Sequence, residues 1–93
     1  MALQARLTIT GRVQGVGYRD WAIATGRRFG LTGWVRNRAD GTVEALVVGD
    51  DTAVGTMIEA CRHGPVLARV EAVDVEPVEL DVLPGGFTRL PTA

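Results

Sequence analysis

Leu3, Ala5, Leu7, Ile9 and Val13 stand at odd positions; Gln4, Arg6, Thr8, Thr10 and Arg12 stand at even ones. Period two with one polar side describes a strand with one face covered and the other wet. Such a strand commits the chain to a sheet, and the sheet to a layer packed over its apolar face. A chain of 93 residues has room for one core, so the covering layer must come from the same single domain, residues 1–93.

The remaining segments supply that layer. Gln14-Gly15-Val16-Gly17-Tyr18-Arg19 is a glycine-bearing loop leading out of the strand. Asp20 to Phe29 then reads as a helix, with Trp21, Ala22, Thr25 and Phe29 near one stripe. Gly26 weakens it by roughly 1 kcal/mol relative to Ala. Gly30 suits its C-terminal cap, and Arg27 and Arg28 complement its dipole. Leu31 to Arg38 reads as a second strand and Thr42 to Val48 as a third, joined at Asp40-Gly41, where both residues tolerate positive φ. Gly49-Asp50-Asp51-Thr52 offers caps for a second helix, whose stripe is Val54, Met57, Ile58 and Cys61 and whose end is Gly64-Pro65. Val66 to Val75 reads as a fourth strand whose apolar phase slips between Val70 and Val73, the mark of a bulge or bend. Pro77 stops it, and Phe87 to Leu90 forms a short edge strand. The order β-α-β-β-α-β with right-handed crossovers puts both helices on one face of a mainly antiparallel sheet. The expected class is α+β, a ferredoxin-like two-layer sandwich with a short C-terminal edge strand. That architecture hosts many functions, so function must come from the site.

Composition removes several chemistries. All ten basic residues are Arg, and the chain has neither Lys nor Ser. A Lys Schiff base, a Walker-type lysine and a Ser nucleophile are therefore excluded. One Cys excludes an intrachain disulfide and a Cys-based metal cage, and one His excludes a His-rich site. A net charge of −1 provides no broad footprint for nucleic acid. No apolar run reaches membrane-spanning length, and the N-terminus lacks the basic-then-apolar order of a signal peptide. A cytoplasmic setting is expected, with no membrane and no nucleic acid among the partners.

Two places can carry chemistry. The loop of Gln14, Gly15, Val16, Gly17, Tyr18 and Arg19 precedes a helix N-terminus, where amides lack partners and the dipole is positive. Gly15 and Gly17 let the backbone curl into an anion cradle, for which phosphate is the commonest guest. Arg19 is unfavourable at a helix start unless an anion lies beside it. The same residues also make a plain turn followed by a solvated Arg. Asn37, the only Asn, ends the second strand. Its carboxamide can hold an attacking water or can shape the turn before Asp40-Gly41.

Gly11-Arg12-Val13-Gln14-Gly15-Val16-Gly17-Tyr18-Arg19 resembles the signature of the acylphosphatases. Gly33-Trp34-Val35-Arg36-Asn37, followed by Asp40-Gly41-Thr42-Val43-Glu44, resembles that family's second signature. Gly64-Pro65, Ala68 and Val70 continue the likeness over nearly the whole chain. The resemblance implies an enzyme that hydrolyses acyl phosphates to carboxylate and inorganic phosphate. By the same resemblance, Arg19 and the loop amides bind the phosphoryl group and Asn37 orients the attacking water. It implies no cofactor and no metal, an acyl phosphate as the small-molecule partner, and inorganic phosphate as product and inhibitor. Tyr18 replaces a more usual Phe. Asp20 is a less typical neighbour of Arg19 and is expected to point along the helix, away from the site.

The other reactive residues read as structural. His63 suits the C-terminal end of the second helix, and Cys61 completes its apolar stripe. Trp21, Phe29 and Trp34 read as packing; Glu71, Asp74, Glu76, Glu79 and Asp81 read as a solvated face. Competing readings are a non-enzymatic anion-binding module, an RNA-binding domain of the same strand order, and a piece of a larger carbamoyl-transfer enzyme. The RNA-binding aromatic platform motif is absent.

Overall fold

A computed structural model describes residues 2–93. The strands are β1 (Ala2–Arg12), β2 (Thr32–Asn37), β3 (Val43–Asp50), β4 (Arg69–Pro77) and β5 (Phe87–Arg89). The helices are α1 (Tyr18–Arg28) and α2 (Asp51–Cys61). The sheet order is β4-β1-β3-β2-β5; every pairing is antiparallel except β2 with β5. This is the expected ferredoxin-like sandwich. Helix α1 packs on β2 and β5, and α2 packs on β1, β3 and β4.

Of the odd apolar residues in the alternation, Leu3 is exposed at the start of β1, and the others are buried. Ala5, Leu7 and Ile9 are buried beneath the helices, with Val35, Val43, Val47, Val54 and Met57 around them. Helix α1 ends as Gly30 allows: Gly30 has φ +72°, and Leu31 N–H reaches back to the Gly26 carbonyl at 2.9 Å. Helix α2 is capped by Asp50, whose carboxylate accepts from Thr52 N–H at 3.2 Å.

The phase slip in β4 is a bulge. Thr10 pairs with Ala72 but Gly11 pairs with Val70, so Glu71 is the extra residue. Gly11 (φ +127°) permits it, because a Cβ there would lie 2.2 Å from the Arg69 carbonyl oxygen. Pro77 still pairs with Ala5, as the last residue of an edge strand, where a missing N–H is tolerated.

Three expectations are corrected. Strand β4 starts at Arg69, not Val66; Ala68 N–H closes a turn onto the Pro65 carbonyl, and Val66 and Leu67 project into water, 92% and 69% exposed. The first helix begins at Tyr18, so Tyr18 and Arg19 belong to its first turn. In the β2–β3 hairpin only Gly41 takes positive φ (+94°). Asp40 acts through its side chain, which accepts from Thr42 N–H and Thr42 Oγ1 at 3.0 and 2.7 Å.

Candidate active site

Period two decides which way Asn37 faces. On β2, Gly33 and Val35 are buried on the helix side, while Trp34 and Arg36 lie on the other. Arg36 and Arg38 flank Asn37 and both reach Glu44 on the open face, at 2.7 and 3.3 Å. Asn37 therefore shares the helix side with the mouth of the β1–α1 loop.

The loop brings its own half of the site. Gly17, with φ +81°, precedes α1, and no side chain caps the helix. The first backbone bond of α1 runs from Trp21 N–H to the Gly17 carbonyl at 3.1 Å. The amides of residues 18–20 consequently have no acceptor within the helix. Val13, Gly15, Gly17, Tyr18, Arg19, Asp20, Asn37 and Arg89 line a pocket of about 120 Å³. Arg19 and Asn37, 18 positions apart in sequence, thus face one cavity. The Arg19 side chain is half-buried and has no ion-pair partner among the described residues. Asn37 Oδ1 is buried and accepts no hydrogen bond.

Gln14 and Val16 do not line this pocket. Gln14 Nε2 donates to the carbonyls of Arg38 and Thr42 at 2.7 and 2.8 Å. It latches the loop to the hairpin that carries Asn37. Val16 is buried in the core. Tyr18 is also buried; its ring packs on Trp21, and its hydroxyl donates to the Cys61 carbonyl at 2.7 Å. Burial pushes the Tyr18 hydroxyl well above its ordinary pKa, and pushes the Cys61 thiol up to about 11. Both therefore stay protonated at neutral pH.

Asp20 does not point away. Asp20 is one of the residues lining the pocket, and its carboxylate, on a side chain 78% exposed, is paired with Arg89. Arg89 was not singled out from sequence. Its signal is faint: Phe87 is buried beside Gly33, so two residues later Arg89 faces the same way, opposite Val35. A three-residue parallel strand carries too little pattern to reveal that register in advance.

A wider hollow of about 380 Å³ lies among Arg6, Thr8, Arg38, Asp40, Thr42 and Glu44. Burial opposes the charge on Glu44, but Arg36 and Arg38 outweigh it and hold the carboxyl below its ordinary value. The hollow thus sets the Asp40 and Glu44 carboxylates beside Arg6 and Arg38. Among the described residues no three His, Cys, Asp or Glu side chains converge as a metal site, and no helix is long and apolar enough to cross a membrane.

An uncapped helix start, an Arg and an Asn thus meet around one small pocket on the ferredoxin-like sheet of an α+β protein. The Acylphosphatase family model matches residues 5–88. An acylphosphatase of Acidiphilium cryptum is 54% identical over 83 residues, covering 89% of this chain and 91% of the relative. The structure of an acylphosphatase from Coxiella burnetii superposes with TM-score 0.90 at 28% identity, over 96% of this chain and 93% of that one. The acylphosphatase from Bacillus subtilis gives TM-score 0.89 at 34% identity, over 97% and 99% of the two chains. The chain belongs to the acylphosphatase family. It is accordingly a hydrolase acting on acid anhydrides, with acyl phosphates as its substrates.

Proposed function

We propose that the hydrolysis runs in the pocket between the β1–α1 loop and the end of β2. Arg19 and the open amides of the α1 start bind the phosphoryl group; the amides of Gly15 and Gly17 complete the cradle with those of Tyr18 and Arg19. The observation that carries this reading is the shared pocket of Arg19 and Asn37 at an uncapped helix N-terminus. The guanidinium fork matches two phosphoryl oxygens. Asn37 holds a water in line with the bond to be broken. Water oxygen attacks phosphorus, the bond from phosphorus to the acyl oxygen breaks, and the carboxylate leaves with the electron pair. The proton from water passes to a phosphoryl oxygen, giving carboxylate and inorganic phosphate. An acyl phosphate has a good leaving group, so positioning and charge stabilisation suffice. Inorganic phosphate, as product, competes for the same cradle. The residues 1–93 act as one domain, in the cytoplasm, without a metal ion.

The test is hydrolysis of benzoyl phosphate. Arg19→Ala is expected to lower the rate about 10²–10³-fold and to weaken inhibition by phosphate. Arg19→Lys is also expected to be poor, since a point charge cannot reproduce the fork. Activity near wild type in Arg19→Lys removes the bidentate role.

A further inference from the structure

Asp20 presents a conflict that the catalytic roles above do not resolve. In the first turn of α1 a carboxylate suits the helix dipole. At the rim of a pocket that receives a phosphate, a carboxylate repels the ligand. The carboxylate is ion-paired to Arg89, which reaches it from β5, 69 residues away, and which lines the same pocket.

We propose that Arg89 is an electrostatic positioning residue of the active site: it draws the Asp20 carboxylate into an ion pair and cancels its repulsion of the phosphoryl group. This inference rests on the assignment of Arg19 and the loop as the phosphoryl cradle. Three structural relations support it. The Asp20–Arg89 pair joins two residues of the pocket lining, one on α1 and one on β5, at the solvent-facing rim, where the side chains are 78% and 42% exposed. The partner is Arg89 and not the adjacent Arg19, which leaves the Arg19 fork uncommitted to a carboxylate. The register of β5 is secured on both sides of Arg89, by the buried Phe87 and by Leu90 N–H donating to the Val35 carbonyl at 2.9 Å. The β5 segment thus delivers a charge to the site as well as closing the sheet.

With Arg19 and Arg89 positive and Asp20 negative, the three charged side chains of the pocket sum to +1. Removing Arg89 lowers that sum to zero and leaves Asp20 uncompensated. Removing the Asp20 charge raises it to +2. Removing both returns it to +1. Phosphate affinity should follow this order.

The experiment measures the inhibition constant of inorganic phosphate, together with KM and kcat for benzoyl phosphate, in five variants whose folding is checked by circular dichroism. Arg89→Gln is expected to weaken phosphate about fivefold and to raise KM with little change in kcat, on the scale of one partly exposed charge contact. Asp20→Asn is expected to tighten phosphate by a similar factor. The double variant should return to within about twofold of wild type, and Arg89→Lys should stay close to wild type. These differences should shrink in concentrated salt. Should Arg89→Gln fold poorly, Asp20→Asn and Arg89→Lys still decide the matter. A double variant as weak as Arg89→Gln alone, or an Asp20→Asn variant that binds phosphate no better, overturns the proposal. Arg19→Ala, run alongside, separates the two ideas: unchanged phosphate inhibition there overturns the cradle itself, whereas a loss there with no response at Asp20 or Arg89 overturns only this inference.

Discussion

The Tyr18 hydroxyl donates to the Cys61 carbonyl at 2.7 Å, tying the first residue of α1 to the last residue of α2. The acceptor is one of the final carbonyls of α2, which have no partner within their own helix. The contact therefore completes one helix end while anchoring the other beside the pocket of Arg19 and Asn37. The Tyr18 ring also rests against Gly64, where a Cβ would come within 2.7 Å of Cε2. Tyr18→Phe keeps the ring and removes the bond. It is expected to lower stability by about 1 kcal/mol, measured by urea unfolding, and to leave kcat within about twofold. A large loss of kcat at full folding would show that the hydroxyl acts on the pocket directly.

Asn37→Ala should separate function from stability. Asn37 Oδ1 is buried without a hydrogen bond from the protein, so its removal deletes a polar group that the fold does not use. The thermal midpoint is expected to hold or rise, while kcat falls about a hundredfold through loss of water positioning. Inhibition by inorganic phosphate should remain within about twofold, because the assigned partner is water. An equal loss of phosphate affinity would move Asn37 into the phosphoryl cradle.

Gly26→Ala opposes two principles. Helix propensity favours Ala by about 1 kcal/mol. A Cβ at Gly26, however, would lie 2.7 Å from Cδ2 and Cε2 of Phe87, a ring that is fully buried between α1 and the sheet. Overpacking at such a site costs about 1–3 kcal/mol. The net expectation is a destabilised protein, seen as a lower urea midpoint. A gain in stability would mean that Phe87 moves aside at little cost.

Acid stability should depend on Glu44. Its folded pKa lies below the unfolded value of about 4.3, so its contribution is fully present above that pH. The contribution is lost as pH falls through the depressed folded value. At pH 7, Glu44→Gln is expected to be less stable by about 1–3 kcal/mol, since Arg36 and Arg38 lose a charged acceptor. The two unfolding curves should converge as pH falls below that depressed folded value. A difference that stays constant from pH 7 to pH 3 would show that the charge on Glu44 contributes nothing.

Sequence pattern carried the element order far, because each element has its own period. The alternation from Ala5 to Ile9, the stripe from Val54 to Cys61 and the cap at Gly30 are local physics, and the structure keeps all three, while Leu3, at the head of the alternation, is exposed. The slip between Val70 and Val73 also marked the bulge at Glu71 before its partner strand was known. Val66 and Leu67 misled for an equally local reason: β-branched and apolar residues read as strand, yet the turn from Pro65 to Ala68 faces them to water.

At the site, the sequence by itself determined the two motifs and therefore the family, together with Arg19 and Asn37 as candidate residues. Tertiary structure alone decided what surrounds them. It turned Gln14 toward the hairpin, aimed the Tyr18 hydroxyl at Cys61, and brought Arg89 across the sheet edge to Asp20. The physical reason is range. Periodicity and capping act over a few residues, and one chain displays them openly. The partner of a buried polar group or a charge is chosen by packing between segments distant in sequence, and no local pattern records it.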